Sequence, residues 1–155
     1  MVDNAAKNAD VVIRPVGDEE RAAWEPLWAG YLAFYERSLP QDVTDATWRR
    51  FHDPAEPLFI LGAYVDGKLS GIVHYLFHRS TWAATHYCYL EDLFVADDAR
   101  GHGLGRALIE AVYEKARAAG AIRVYWMTHA TNTRARALYD QLADNLGFIQ
   151  YRRTI

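Results

Sequence analysis

The feature that most constrains this chain is a glycine-rich turn between a run typical of a buried strand and an amphipathic helical pattern. The turn reads Arg100-Gly101-His102-Gly103-Leu104-Gly105-Arg106, after a strand predicted over 87–95 and at the start of a helix predicted over 103–119. Glycines accept positive φ angles and let a ligand approach the backbone closely. The unpaired amides that begin a helix lie at the positive end of its dipole. The turn therefore predicts a phosphate or diphosphate site beside the charges of Arg100 and Arg106.

Two common phosphate-binding motifs do not fit this turn. A P-loop requires a lysine and a hydroxyl residue after its last glycine, whereas Arg106 and Ala107 follow Gly105. A dinucleotide-binding turn of the Rossmann type requires Gly-x-Gly-x-x-Gly, and Arg106 stands where its third glycine belongs. A glycine-rich loop without any ligand stays open as an alternative. It does not explain why arginines flank the three glycines.

Hydrophobic periodicity and turn residues predict the other elements. Strands are expected at 11–16, 58–65, 69–78, 87–95, 122–127 and 148–155, and helices at 18–37, 42–51, 103–119 and 132–142. Pro26 is expected to kink or restart the first helix, and Asp66-Gly67 is a hairpin turn signal. The order β-α-α-β-β-β-α-β-α-β predicts an α/β fold with a mixed central sheet and helices on both faces.

Composition excludes several classes of protein. At 155 residues, 51% hydrophobic and 24% charged, the chain is expected to form one domain over 10–155 after a flexible N-terminus, 1–9. A net charge of −3 argues against nucleic-acid binding, and Cys88 alone supports neither a disulfide framework nor a Cys-rich zinc site. His74 and His78 share a strand face without a clear third ligand, so no metal is predicted. With no apolar run of the roughly 18 residues that a membrane span needs, the interpretation is a cytoplasmic protein.

A second segment makes the glycine turn more specific. Asn132-Thr133-Arg134-Ala135-Arg136-Ala137-Leu138-Tyr139 is followed by Leu146-Gly147-Phe148. With the pattern Arg/Gln-x-x-Gly-x-Gly/Ala at 100–105, the chain strongly resembles the GCN5-related N-acetyltransferase (GNAT) family from Val11 to Ile155. This resemblance implies the GNAT fold, with a mostly antiparallel sheet. Gly147 stands eight positions after Tyr139, whereas many members have this glycine four positions after the tyrosine, and this difference bears on where the final strand lies.

The match can be narrowed to one branch of the family. The segments 28–35, 47–54, 90–95 and 125–126 resemble the branch with the yeast histone and D-amino-acid acetyltransferases. The polyamine (spermidine/spermine) acetyltransferases are the next most similar group. The resemblance therefore implies an acetyl-CoA-dependent N-acetyltransferase that modifies a primary amine of a small molecule, such as an amino acid or a polyamine, by direct transfer in a ternary complex. A lysine acetyltransferase acting on proteins or peptides, and a non-catalytic acyl-CoA-binding module, stay open.

The resemblance also implies which residues bind acetyl-CoA. The diphosphate would bind at the turn, whose residues are Arg100, Gly101, His102, Gly103, Leu104, Gly105 and Arg106. Main-chain amides of the strand residues Leu93, Phe94 and Val95 would pair with pantetheine and polarise the thioester carbonyl, on a bulged strand. Asn132 would contact the pantetheine arm, while also serving as a helix N-cap. Arg134 and Arg136 point about 200° apart on a helix, so at most one of them should reach a phosphate.

Acetyl transfer to an amine needs an uncharged nucleophile, a polarised carbonyl and a proton for the thiolate that leaves. Because an alkylamine has a pKa near 10.4, a base is needed at neutral pH. We expect Glu91 to be this base, acting through water, with Asp92 as the alternative. Neighbouring strand residues face opposite sides, so only one of them should point into the site. Tyr139 is the general acid that the resemblance implies; a core tyrosine is the structural alternative.

The acceptor side of the site is less defined by the sequence. Trp28, Tyr31 and Tyr35 lie on one face of the first predicted helix, where they belong either to the core or to the wall of an acceptor pocket. Glu36 or Glu91 would attract the cationic amine. Acidic residues outnumber basic ones in residues 1–60, which favours an amine acceptor. A homodimer is expected from the family, with the first helix and the final strand as candidate interfaces.

Overall fold

In a computed structural model, which describes residues 9–155, five strands form one sheet in the order β1-β2-β3-β4-β5. The strands are β1 (Val11–Pro15), β2 (Leu58–Val65), β3 (Lys68–Arg79), β4 (His86–Val95) and β5 (Val124–Tyr125). The helices are α1 (Arg21–Phe34), α2 (Gln41–His52), α3 (Leu104–Ala118) and α4 (Thr133–Leu142). Strands β1 to β4 pair antiparallel and β5 runs parallel to β4, so the mixed, mostly antiparallel sheet is confirmed. The N-terminus predicted to be flexible lies outside the described residues, apart from residue 9.

Each face of the sheet carries its own hydrophobic core. Side chains alternate along a strand, so Ile60 of β2 points to one face and Leu61 to the other. Helices α1 and α2 cover the first face with the buried residues Trp24, Leu27, Trp28 and Trp48. Helix α3 covers the opposite face with the buried residues Leu104, Leu108, Ile109, Val112 and Ala116. The prediction of helices on both faces is confirmed.

The hairpin between β2 and β3 closes as the sequence predicts. Asp66 has φ 49° and Gly67 has φ 81°, and Val65 pairs with Lys68 across the turn. Two successive positive φ values define the two-residue turn that matches the twist of paired strands. Strand β3 pairs with β2 from this hairpin onward and pairs with β4 on its other edge.

The first helix differs from its prediction. A short 3-10 turn at Asp18–Glu20 precedes α1, and α1 then runs without a break from Arg21 to Phe34 with Pro26 inside it. Of the two outcomes expected at Pro26, a kink or a restart, the restart is therefore wrong. Trp24 and Trp28 anchor the helix to the sheet on either side of the proline, and this packing outweighs the loss of one backbone hydrogen bond.

The strand predicted over 148–155 does not form. Residues 143–155 contain no strand, and the side chains of Phe148 and Tyr151 are 87% and 89% exposed. The strand predicted over 122–127 is also reduced to Val124–Tyr125. A strand needs a neighbour to pair with, and β-branched and aromatic residues do not form one without it. The sheet within residues 9–155 therefore ends at β5.

Candidate active site

The glycine turn forms an open cradle at the start of α3. Gly101 has φ 84° and Gly103 has φ 73°, and a Cβ at either position would meet no atom within 4 Å. Gly103 is the N-cap of α3 and no side chain caps the helix, so the first-turn amides are left for a ligand. Gly105 has another role, since its Cβ would lie 3.5 Å from Leu138 of α4. This cradle fits the diphosphate that the sequence predicts there.

The charged side chains beside the cradle are held by the protein. Arg100 pairs with Asp97 (2.8 Å) and its Nε donates to the carbonyl of Val95 (3.3 Å). Arg106 donates to the side chain of Gln141, and His102 Nδ1 lies 3.2 Å from the carbonyl oxygen of Ala99. The amides of the turn are therefore the groups left open to an anion, while the arginines add positive charge at its edge.

A cleft opens between β4 and β5 next to the cradle. Strand β5 pairs with β4 at Cys88 and Tyr89, and from Leu90 onward β4 has no neighbouring strand on that side among residues 9–155. The predicted pantetheine-binding residues Leu93, Phe94 and Val95 lie on this stretch of β4. Main-chain groups along an unpaired strand edge are available to an extended ligand. The cleft thus offers a linear path from the cradle toward the middle of β4.

Helix α4 contributes its N-cap and several polar groups. The Asn132 side chain accepts from the Ala135 amide (3.4 Å), so the predicted N-cap is confirmed. The Asn132 side-chain amide also donates to Thr128 Oγ1 (3.2 Å). Arg136 donates to the carbonyl of Ala130 (2.7 Å), whereas Arg134 is exposed. Of the two arginines, Arg134 is thus the better placed to meet a phosphate.

Tyr139 lies half-buried on the inner side of α4. Its ring packs edge-on against Trp126, with 5.4 Å between the centroids. Burial raises the pKa of Tyr139 to about 12, with a smaller contribution from Tyr35. The phenol therefore keeps its proton at neutral pH, as a general acid must. Because Tyr35, at the end of α1, contributes to the raised pKa of Tyr139, the two phenols lie within electrostatic reach of each other.

A bulge in β4 changes which way the two candidate bases point. His74 pairs with Asp92 and Tyr75 pairs with Leu90, so Glu91 is an extra residue in the ladder. An extra residue interrupts the alternation of side chains. Glu91 and Asp92 consequently line the same pocket. The expectation that only one of them points into the site is therefore wrong.

This pocket, which we call the carboxylate pocket, has a volume of about 260 Å³. Glu91 and Asp92 from β4 give it negative charge, and Arg50 from α2 gives it a positive one. Aromatic side chains form much of its wall. The other lining residues are Trp28, Leu39, Thr47, Phe51, Leu58, His74, Tyr75 and Leu76. A pocket with both signs of charge between apolar walls suits a small polar ligand.

The two carboxylates of this pocket differ in their surroundings. Asp92 Oδ2 accepts a hydrogen bond from His74 Nδ1 (2.9 Å), whereas Glu91 has no hydrogen bond or ion pair within residues 9–155. Glu91 is exposed at the pocket mouth, yet partial loss of hydration and the charge of Asp92 raise its pKa above the ordinary value. Burial and the Asp92 charge likewise raise the pKa of Tyr31. Glu91 is therefore the carboxylate that is free of hydrogen bonds within residues 9–155, and its own pKa is raised.

The predicted acceptor residues of α1 form a continuous stack but do not share one pocket. Trp28 stacks on Tyr31 (5.4 Å between centroids), and Tyr31 lies 5.0 Å from Tyr35. Trp28 lines the carboxylate pocket. Tyr35 and Glu36 line a second pocket, of about 360 Å³, with Phe34, His129, Thr131 and Asn132. Glu36 therefore lies apart from Glu91 and Asp92.

Sequence reasoning missed three residues of the carboxylate pocket. Arg50 and Phe51 occur in a segment that resembles one GNAT branch, but nothing in their spacing assigned them a role. His74 was considered only as a metal ligand with His78. His74 bonds Trp24 and Asp92, while His78 Nε2 lies 2.7 Å from the Tyr125 hydroxyl oxygen. Within the part of the chain that the structure describes, no three potential ligands are grouped as a metal site would need.

Comparison with known proteins identifies the family. The sequence profile of the acetyltransferase (GNAT) family matches residues 21–143. The chain belongs to the GNAT family. Enzymes of this family take acetyl-CoA and an amine acceptor, and this GNAT protein is an acetyltransferase.

Relatives of this GNAT chain include enzymes named for small amines. It is 35% identical over 148 residues to the D-amino-acid N-acetyltransferase of Saccharomyces cerevisiae. The aligned residues cover 94% of this chain and 92% of the yeast protein. It is 33% identical over 78 residues to the thialysine N-epsilon-acetyltransferase of Caenorhabditis elegans, about half of each protein. A crystal structure of an aminoglycoside N-acetyltransferase in complex with CoA shares the fold, with a TM-score of 0.75 at 21% identity over 97% of this chain and 95% of that one.

Among residues 9–155, no helix is both long enough and apolar enough to cross a bilayer.

Proposed function

We propose that this GNAT enzyme transfers the acetyl group of acetyl-CoA to the primary amine of a small molecule, by direct attack within a ternary complex. The observation that carries the proposal is the arrangement along β4. The open glycine cradle and the free edge of β4 lie at one end of the strand, and the Glu91–Asp92 pair lies at its bulge. A donor that binds along the edge therefore brings its acyl group toward the pocket where a cationic amine would bind.

Acetyl-CoA supplies the thioester. The cradle amides from Gly101 to Arg106 hold its diphosphate, and Arg134 meets a further phosphate. Main-chain amides at Leu93–Val95 bind pantetheine and polarise the carbonyl oxygen, and Asn132 contacts the pantetheine arm. Support comes from the unfilled space at Gly101 and Gly103 and from the unpaired edge of β4. These groups are preorganised, which is what lets hydrogen-bond donors stabilise a developing negative charge.

Glu91 acts as the base. It takes a proton from the ammonium, through water, and the neutral amine nitrogen then attacks the thioester carbon. As the carbon–sulfur bond breaks and the amide forms, the nitrogen loses its second proton to water, and Glu91 returns its own proton to solvent. Support comes from its raised pKa, its lack of a hydrogen-bond partner within residues 9–155 and its place on the pocket wall. Asp92 is the second candidate, but its Oδ2 already accepts from His74.

Tyr139 acts as the acid. When the carbon–sulfur bond breaks, its phenol donates a proton to the thiolate, and the phenolate regains a proton from solvent. A pKa of about 12 keeps the phenol protonated before the reaction. A thiol has a pKa near 8.5. Below that pH the leaving thiolate takes up a proton, and above it a hydrogen bond from the phenol is enough to stabilise the thiolate.

The pocket favours an amino acid over a polyamine as the acceptor. Arg50 stands in the same pocket as Glu91 and Asp92, so one end attracts a carboxylate and the other an ammonium. A polyamine carries positive charges only and would be repelled by Arg50. Trp28 supplies an apolar wall, and Tyr31 and Tyr35 continue it toward Glu36 and the second pocket. The name of the yeast relative, which specifies D-amino acids, supports this class.

Acetylation of a small panel of amines tests the proposal. The panel contains D- and L-phenylalanine, phenethylamine, spermidine and a lysine peptide, with free CoA release and product mass as readouts. We expect the amino acid to be the best substrate and the peptide to react slowest. Fastest turnover with the peptide would favour a protein acetyltransferase. Thermal stabilisation by acetyl-CoA without turnover of any amine would favour a non-catalytic acyl-CoA-binding module.

Other expectations from the sequence stay predictions. A single domain over 10–155, a cytoplasmic location and the absence of nucleic-acid, membrane and metal partners belong to this group. We also propose a homodimer, supported by the exposed apolar side chains Leu146, Phe148, Ile149 and Tyr151. Sedimentation of the full chain and of a Phe148→Ser/Tyr151→Ser double variant measures this, and a monomeric full chain contradicts it.

A further inference from the structure

A buried chain of three side chains lies beneath the carboxylate pocket. The Trp24 indole Nε1–H donates to His74 Nε2 (3.0 Å), and His74 Nδ1 lies 2.9 Å from Asp92 Oδ2. Trp24 is 0% exposed and His74 is 3% exposed. Trp24 therefore touches no substrate. Its ring packs against Trp28 and Phe51 of the pocket wall, and its one side-chain hydrogen bond within residues 9–155 is to His74.

Hydrogen-bond chemistry assigns the protons along this chain. An indole nitrogen is a donor only, so His74 Nε2 must present its lone pair to Trp24. In a neutral imidazole the other nitrogen, Nδ1, then carries the proton and donates it to Asp92. A proton on Nε2 would set two N–H donors against each other inside a fully buried contact.

This assignment determines the charge of the pocket. An imidazolium at His74 would neutralise Asp92 and remove half of the negative charge facing an incoming ammonium. A neutral His74 leaves Asp92 ionised and also fixes its orientation, because Oδ2 is held by the N–H of His74. The rings of Trp28 and Phe51 pack on His74 at 5.2 and 4.5 Å between centroids, so the imidazole has no room to turn.

We propose that Trp24 and His74 are positioning residues, which keep Asp92 an ionised and oriented anchor for the ammonium group of the acceptor. The proposal rests on the proposed function, because it assumes that a cationic amine binds in the carboxylate pocket. The two carboxylates then have different roles: Asp92 binds the amine, and Glu91 removes its proton.

Nuclear magnetic resonance of the wild-type chain tests the proton assignment directly. In protein with ¹⁵N-labelled histidine, two-bond correlations report the tautomer of each imidazole. The His74 signals are assigned by their absence in His74→Asn. We expect a neutral ring with the proton on Nδ1 at pH 7.5. An Nε2–H tautomer, or an imidazolium at that pH, overturns the proposal without reference to any activity.

Kinetics of Trp24→Phe test the consequence for the acceptor. This variant keeps the ring volume of a large aromatic but loses the indole N–H. Because the bond orients a charged partner, we expect KM for the amine to rise roughly tenfold, with kcat and KM for acetyl-CoA within about twofold of wild type. Trp48→Phe is the matched control, since Trp48 lies in the same cluster but donates to Asp18 (3.1 Å) and not to His74. It should lose stability without a change in the amine KM.

Two substitutions of His74 complete the test. An asparagine amide stands where Nδ1 stands and can still donate to Asp92, whereas His74→Leu removes the donor. The amine KM should therefore be closer to wild type in His74→Asn than in His74→Leu. Folded variants that all keep the wild-type amine KM overturn the proposal, while the wild-type chain still acetylates amines. If wild type acetylates no amine, the proposed function fails, and the tautomer measurement still decides the assignment.

Discussion

The donor side and the acceptor side of this enzyme are built on different principles. The donor side is backbone: two glycines with positive φ, the start of α3 and the free edge of β4. The proposed acceptor side, the carboxylate pocket, is made of side chains that come mainly from α1, α2, β2, β3 and β4. A backbone site binds what all family members share, the acetyl-CoA donor, and a side-chain site can change with each acceptor. A substitution on one side should therefore change the binding or reaction of one substrate and leave the binding of the other substrate unchanged.

The largest difference between the effects on the two sides is expected from Glu91→Gln. Losing a general base should lower kcat/KM about 10²–10⁴-fold, while thermal stabilisation by acetyl-CoA stays as in wild type. Glu114→Gln, an exposed position on α3, is the control and should be neutral. Because the pKa of Glu91 is raised, wild-type activity should fall with decreasing pH at a higher pH than an ordinary glutamate predicts. If the variant is as active as wild type, Glu91 is not the base, and Asp92 becomes the candidate.

Tyr139→Phe should have the next largest effect. Losing the acid should lower kcat about 10²-fold, with little change in the KM of either substrate, because the ring and its contact with Trp126 remain. Since the pKa of Tyr139 is about 12, its ionisation should not limit wild-type activity below about pH 10. Single-turnover measurements distinguish this loss from slow product release. Unchanged kcat would leave Tyr139 as a core residue.

Gly103→Ala tests the donor side alone. A side chain at a positive φ costs about 1–2 kcal/mol, and it also fills the cradle, so we expect acetyl-CoA to bind roughly tenfold more weakly. Gly120→Ala is a matched control, because Gly120 has φ 77° with an equally empty surrounding, at the other end of α3. Calorimetric titration should show similar losses of stability and unequal losses of acetyl-CoA affinity. Equal affinities would contradict the cradle.

The smallest effect tests the acceptor side alone. Arg50→Gln should raise KM for an amino acid roughly fivefold, since an exposed charge contributes modestly, and should leave phenethylamine unaffected. Arg49→Gln is the neighbouring control, because the Arg49 guanidinium lies near the carbonyl of Asp45 and does not line the pocket. A parallel change for both amines would mean that Arg50 does not recognise the carboxylate.

The elements with strong local signals were predicted well. The Asp66-Gly67 hairpin, the helix after the glycine turn and the N-cap at Asn132 all form as expected. In each case a residue's own conformational preference selects the structure. The strand predicted over 148–155 failed because a strand depends on a partner that local sequence does not supply. The restart of the helix predicted at Pro26 failed for a related reason, since the packing of Trp24 and Trp28 keeps α1 continuous across the proline.

By itself, the sequence determined the fold class, the family and the cradle, because glycine spacing at the start of a helix sets the backbone locally. Only the tertiary structure decided which side chains form the carboxylate pocket. The one-residue bulge that turns Glu91 and Asp92 to the same pocket depends on the register of β4 against β3. The meeting of Trp24, His74 and Asp92 depends on how α1 packs across the sheet. Register and packing join residues far apart in the chain, and no local pattern encodes which ones meet.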